Sequence, residues 1–259
     1  DIVFHAAALK HVPVVQYNPF EGIQTNVIGS QNVIDACLQE NVSLAVAVGT
    51  DKAVSPLNTY GATKLLMEKL FVNANLYSNP KRHKTKFVAL RYGNVLGSSG
   101  SVVPLFIRQI KEKKKITITH PEMTRFSITM DEALDFILGT TQISKGSEIF
   151  LPKLQAYSII DLQNALFELL DNTGSQIVGI RQGEKVHETL INSDEMRYSW
   201  QFKNNYIITN QFYDDKKIKK TYSGIKKITN MDRYSSDMVK KITKNELKQI
   251  IQKSGLLDA

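Results

Sequence analysis

Thr50-Asp51-Lys52-Ala53, followed by Asn58-Thr59-Tyr60-Gly61-Ala62-Thr63-Lys64, is the stretch on which the fold turns. The apolar run Leu44-Ala45-Val46-Ala47-Val48-Gly49 leads into it and predicts a parallel strand buried on both faces. After Tyr60, the residues Leu66, Met67, Leu70, Phe71 and Ala74 recur at helical spacing. Thr50, Asp51 and Lys52 therefore stand at the carboxyl end of a strand, where open α/β sheets bind ligands. Tyr60 and Lys64 are four residues apart and project from one helical face. An ammonium beside a phenol favours the phenolate, so the pair predicts a Tyr60 pKa below its ordinary ~10.

Outward from there, Asp1 to Ala8 predicts a strand ending in Ala6-Ala7-Ala8, small side chains that let a ligand approach the backbone. A helical pattern with Ile23, Val27, Val33, Ile34 and Leu38 follows Asn18-Pro19; Asn26 falls inside it and Cys37 belongs to its core face. Phe87-Val88-Ala89-Leu90 is the next strand, and Gly93, Gly97 and Gly100 mark a loop running on to Pro104. Beyond it we expect a helix through Ile110, short strands at 116–119, 148–151 and 176–180, helices over 131–143 and 159–170, and a short helix after Gly183-Glu184-Lys185. Tyr206-Ile207-Ile208 has the look of an edge strand, and 244–257 of an amphipathic helix. The whole predicts an α/β protein: a partial Rossmann-like, doubly wound parallel sheet over 1–104, then a smaller α/β lobe and tail over 105–259 with interleaved returns to the sheet.

Composition narrows the function classes. At 42% hydrophobic and 22% charged, the 259 residues are those of an ordinary globular protein, and no apolar run approaches the ~20 residues of a membrane span. A single cysteine suits a reducing, cytoplasmic setting. The net charge of +8 is concentrated after Gln211, where eleven lysines and one arginine face six acids. That tail lacks stacking platforms and nucleic-acid motifs, so a solvated surface is expected rather than a nucleic-acid interface. His5, His11, His83, His120 and His187 show no metal-ligand spacing, and no Gly-x-Ser-x-Gly elbow exists.

Thr50-Asp51-Lys52 with Tyr60-x-x-x-Lys64 resembles the extended short-chain dehydrogenase/reductase family, and within it the inverting UDP-N-acetylglucosamine 4,6-dehydratases. The blocks from His5 to Pro13, Arg91-Tyr92-Gly93-Asn94-Val95 and Gly183-Glu184-Lys185-Val186-His187-Glu188 carry the same resemblance. It implies Thr50, Asp51, Lys52, Tyr60 and Lys64 as catalytic residues, with Asp51 as acid and Lys52 as the C5 base. It implies Ala6, Ala7, Ala8, Asn26, Tyr60, Lys64 and Val95 at the cofactor, NADP with NAD as the alternative. Lys10, Asn94, Val102, Arg125, Arg181 and Glu184 would meet the UDP-sugar, the two arginines as pyrophosphate partners. No metal is expected, and the family tends towards homo-oligomers. Tyr60, where longer membrane-bound relatives place Met, favours the flagellin-glycan, pseudaminic acid type, with capsule or O-antigen precursors as the alternative.

The Gly-x-Gly-x-x-Gly fingerprint expected at the start of a dinucleotide fold is absent. We therefore expect a chain that starts near the family's fourth strand, without the pyrophosphate cradle and roughly two βαβ units of ~30 residues each. The competing readings are an epimerase of the same fold, which needs no Asp-Lys pair, an inactive nucleotide-binding fragment, and nucleic-acid binding through the tail.

Overall fold

The computed structural model describes residues 1–77 and 82–257. The chain divides into two compact units. The first comprises 1–92, 134–153 and 189–234, the second 93–133, 154–188 and 235–259, so the chain changes unit several times, first at Tyr92–Gly93.

The first unit is built on a seven-stranded sheet in the order Ile2–His5, Leu44–Val48, Lys86–Leu90, Ile149–Pro152, Asn205–Ile208, Ser199–Phe202, Lys226–Lys227. The first four strands are parallel, with Val3 beside Ala45, Ala45 beside Phe87 and Leu90 beside Phe150. The last three extend the sheet antiparallel. Leu44 to Ala47 and Phe87 to Leu90 are all buried, as parallel strands covered on both faces require. Gly49 is fixed by this crowding: a Cβ there would sit 2.2 Å from the Leu90 carbonyl oxygen. Phe136, Phe150, Trp200, Ile207 and Tyr222 fill one side of the sheet. Asn205–Ile208 is not an edge strand but lies between two others, because Lys203, at φ 53°, turns the chain into a hairpin with Ser199–Phe202.

The second unit sets a three-stranded sheet, Asn94–Val95, Thr124–Ile128 and Gln155–Ser158, with the parallel pair Ile116–Ile118 and Ser175–Ile177. Helices Val102–Lys111, Ile159–Leu169 and Lys244–Lys253 bury Phe106, Ile110, Leu162, Leu166, Leu247 and Ile251 in one core. Thr243 and Glu246 close the last helix's N-terminus as a capping box, and the tail's Lys244 and Lys248 both pair with Glu168. Two expectations change. Val102, assigned to the Gly-rich loop, begins a helix, since Val103 and Phe106 drive that turn into the core. Gln182 and Gly183, the latter at φ 81°, form a turn, and the residues after it run irregularly to a bridge between His187 and Thr124 without forming a helix. No helix among the described residues is long and apolar enough to cross a membrane.

One buried acid of the first unit has a measurable consequence. Glu148 accepts from the Tyr222 hydroxyl at 2.7 Å and the Gly146 amide at 2.7 Å, yet burial pushes its pKa up to about 7. The folded state then holds a proton that the unfolded state has lost, so stability falls as pH rises from about 4.5 to 7 and levels off above that. Urea unfolding at pH 5 and pH 8 should show this slope, and Glu148→Gln should flatten it.

Candidate active site

The strand Leu44–Val48 delivers Thr50 in extended conformation, and Asp51–Ala53 then close a 3-10 turn whose N-cap is Thr50. The Thr50 hydroxyl donates to Asp51 Oδ1 at 3.0 Å, and Lys52 Nζ reaches the same oxygen at 3.1 Å. Asp51 is 1% exposed and its amide donates to the Tyr92 carbonyl at 3.2 Å. Its other oxygen, Oδ2, is buried with no hydrogen-bond partner among the described residues. A buried carboxylate oxygen left so costs about 1–3 kcal/mol or more, the mark of a group held for something other than stability.

Helix Thr59–Tyr77 brings Tyr60 and Lys64 to this turn. Asn58 Oδ1 accepts from the Gly61 amide at 2.8 Å, and Gln16 Oε1 accepts from the Thr59 amide and hydroxyl. Gly61 permits the close approach: a Cβ there would stand 2.3 Å from the Lys52 carbonyl oxygen and 2.9 Å from Pro56 Cβ. Gly61→Ala should therefore push the helix off the Asp51–Ala53 turn, costing about 1–3 kcal/mol of stability. Because a 1 Å misplacement can cost ~100-fold in rate, activity should fall further than the melting temperature suggests; assay and thermal melt on one sample check this.

The electrostatics differ from the expectation at Tyr60. Burial holds its pKa above the ordinary value; Lys52 then lowers it, Asp51 raises it and a hydrogen bond with Thr50 lowers it. Lys64 is not the ammonium that acts on the phenol, because its Nζ donates to the Val48 carbonyl at 2.7 Å and to Met67 Sδ at 3.1 Å. Burial brings Lys64 itself down to about 8, with Glu68 pulling the other way. Asn26 lies in a π-helical turn, fully buried, where it bonds the amide and carbonyl of Leu9 and the Thr63 hydroxyl. It thus ties the segment after the first strand to the Tyr60 helix. Ala6 and Ala7, past the end of that strand, are exposed, and Ala8 is half-buried. His5 is buried, stacked on Phe71 with Nε2 2.8 Å from Ser30 Oγ, and burial, then Lys64, holds its pKa low.

An ion network behind the site was missed from sequence. Arg91, completely buried, bonds Glu68 through Nε at 2.5 Å and Nη2 at 2.6 Å. It also reaches Glu195 at 2.9 and 2.6 Å and the Leu190 carbonyl at 3.0 Å. Burial works against the Arg91 charge, but Glu68 and then Glu195 outweigh it and raise its pKa. Glu68 follows Lys64 by four residues on the same helix, so the buried Arg91, Glu68 and Lys64 join the part-exposed Glu195 in one network, with Lys69 3.9 Å from Glu68. The signal was available in the Tyr-x-x-x-Lys-x-x-x-Glu spacing.

The remaining candidates lie in the second unit, apart from Lys10, which is exposed in the first. Asn94 and Val95 pair with Ser127 and Ile128, and both are half-buried, as is Val102. Arg125 turns Nη1 to the carbonyls of Thr124 and Val186 and lies 3.9 Å from Glu188. Arg181 is exposed and stands 3.9 Å from Glu184, so these two predicted residues do come together.

A Rossmann-like sheet with Thr-Asp-Lys at a strand tip and a Tyr-x-x-x-Lys helix beside it defines an extended short-chain dehydrogenase/reductase. More narrowly, the chain belongs to the polysaccharide biosynthesis protein family, whose model matches residues 1–210. It is 48% identical over 210 residues to a UDP-N-acetylglucosamine 4,6-dehydratase (inverting) of Campylobacter jejuni, a match covering 81% of this chain but 61% of that protein. A UDP-glucose 4-epimerase of Rickettsia massiliae is 38% identical over 252 residues, 97% of this chain and 73% of that one. The X-ray structure of Pen from Bacillus thuringiensis has a TM-score of 0.88 at 37% identity, covering 99% of this chain and 76% of that chain.

Proposed function

We propose that the protein carrying this chain is a UDP-N-acetylglucosamine 4,6-dehydratase that inverts C5 and uses a nicotinamide cofactor, NADP with NAD as the alternative. One observation carries the reading: a buried Asp51 with one oxygen unpartnered among the described residues and an ammonium, Lys52, on the other. Dehydration across C5 and C6 needs both a base and an acid on neighbouring carbons, whereas 4-epimerisation needs neither. The similarity to the Campylobacter enzyme supports the same choice.

The residues fit a nicotinamide ring: the exposed Ala6 and Ala7 leave the backbone past the first strand uncovered, and Tyr60 and Lys64 are buried together at the next strand. A nicotinamide bound there would supply reversible hydride transfer between sugar carbons. Tyr60 takes the C4 hydroxyl proton, assisted by Lys52, whose charge lowers the phenol's pKa, and by Thr50. Lys64 holds the Val48 carbonyl and adds a positive charge. The 4-ketone acidifies C5; Lys52, as the neutral amine, removes that proton, and Asp51, as the carboxylic acid, protonates the departing C6 hydroxyl; after reduction at C6, C5 takes a solvent proton on the face opposite Lys52, which inverts it. Their 3.1 Å contact lets the pair exchange one proton and reach this arrangement. Arg181, exposed beside Glu184, would meet the pyrophosphate. We further infer a cytoplasmic, homo-oligomeric enzyme that serves flagellin or other surface glycans.

The test is incubation of the whole gene product with UDP-N-acetylglucosamine in heavy water, followed by mass spectrometry and NMR. Loss of one water, with deuterium at an inverted C5, is expected. An epimer of unchanged mass would replace the reading with the 4-epimerase. Because Lys64 titrates at about 8, kcat/KM should decline above about pH 8 as its charge is lost. A flat profile to pH 9.5 would remove Lys64's charge from the mechanism.

A further inference from the structure

A second site lies at the opposite end of the sheet. Thr50 follows the carboxyl end of its strand, whereas Ser147 and Glu148 precede the amino end of the parallel strand Ile149–Pro152. There, wholly within the first unit, a cavity of about 210 Å³ is lined by Lys145, Ser147, Glu148, Tyr213, Lys217 and Tyr222, among others. At ~30 Å³ per water this is room for roughly seven waters. It is smaller than the ~300–1,000 Å³ of pockets for drug-sized ligands, so a nucleotide sugar does not fit and the cavity is not an extension of the proposed active site.

Its lining is polar in a particular way. Ser147 is 1% exposed, yet its hydroxyl has no hydrogen-bond partner among the described residues. It is held at φ 71°, in the left-handed region, by an amide bond of 2.8 Å to the Phe87 carbonyl. A buried hydroxyl that could have been alanine, kept without a partner, is a group awaiting one. Beside it Glu148 is the inner acid, with Tyr222 and the Gly146 amide on its oxygens. Lys145 and Lys217 are exposed cations of the lining, the second lying 3.8 Å from the centre of the Tyr213 ring.

Two ammonium groups against one acid leave the lining with an excess of one positive charge when Glu148 is ionised. A simple anion would gain the lysines but meet Glu148; a simple amine would gain Glu148 but meet the lysines. We propose that this cavity binds a small carboxylate bearing an adjacent hydroxyl or amino group. The carboxylate lies between Lys145 and Lys217, and the hydroxyl or amine meets Ser147 and Glu148. Such a ligand satisfies the Ser147 hydroxyl, sets its carboxylate against the lysines and a hydrogen-bond donor against Glu148, and leaves room for accompanying water.

Thermal melts and isothermal titration calorimetry of the whole protein, with L-serine and L-lactate as probes and acetate and ethanolamine as single-group controls, test this. At ~100-fold excess over Kd, serine or lactate should raise Tm by about 5–10 °C. Acetate and ethanolamine should bind at least about tenfold more weakly. Ser147→Ala keeps the amide bond to Phe87 and should weaken the favoured probe by up to about tenfold; Lys217→Gln, on an exposed side chain, should do likewise. Equal binding of acetate would make this a plain anion site and overturn the proposal. So would the absence of binding by both probes, or binding indifferent to both substitutions.

Discussion

On the dehydratase reading proposed above, Lys52→Ala should lower dehydration of UDP-N-acetylglucosamine by about 10²–10⁴-fold, the range for loss of a general acid or base. The larger effect falls on one half of the chemistry. Tyr60 and Lys64 remain, so oxidation of a substrate deuterated at C4 should persist, slowed because Lys52 no longer lowers the Tyr60 pKa, while solvent deuterium no longer enters C5. Asp51→Asn should show the complementary defect. Its C5 exchange persists in part, but the C6 hydroxyl is retained, because an amide cannot supply the proton that Oδ2 would carry. Asp51→Asn removes a buried charge and should change the melting temperature little, whereas Lys52→Ala leaves the buried Asp51 without its ion partner and should lower it. If Lys52→Ala kept more than half the wild-type dehydration rate, the base would have to be sought elsewhere.

Arg91→Leu is the largest stability effect expected in the molecule. Removing Arg91 strands the fully buried Glu68 and the largely buried Glu195, at about 3–5 kcal/mol, a large share of the 5–15 kcal/mol of a whole domain. Glu68 and Glu195 would be left facing each other without their shared cation. For a chain of this size the melting temperature should drop by roughly 6–20 °C. The triple variant Arg91→Leu, Glu68→Met, Glu195→Met should recover part of that loss, because no unpaired carboxylate of the network remains buried. It should not recover the activity, since Lys64 then sits in an apolar helix interior without the negative charge that holds its pKa up. Stability restored with activity lost separates the two roles; restoration of both would make the network purely structural.

Local sequence pattern carried the elements of the first unit well. Leu44–Val48, Lys86–Leu90 and the Tyr60 helix were legible because a strand buried on both faces is an unbroken apolar run, and because Tyr60 and Lys64 are fixed by four-residue spacing. Adjacency also placed Thr50, Asp51 and Lys52 together, since neighbours in a turn cannot be far apart. What spacing does not encode is direction and distance through space. It could not show that Lys64 turns to the Val48 carbonyl rather than lowering the Tyr60 pKa, nor that burial would dominate that phenol. It could not show that Asn205–Ile208 is an interior strand, because pairing on both sides depends on strands far away in the sequence. Arg91 and Glu195 stand 104 residues apart and meet only because the sheet brings both ends of that interval to one place. The sequence by itself determined which groups could do the chemistry. Tertiary structure alone decided which are desolvated and what each one faces, because both are set by chain that is distant in sequence.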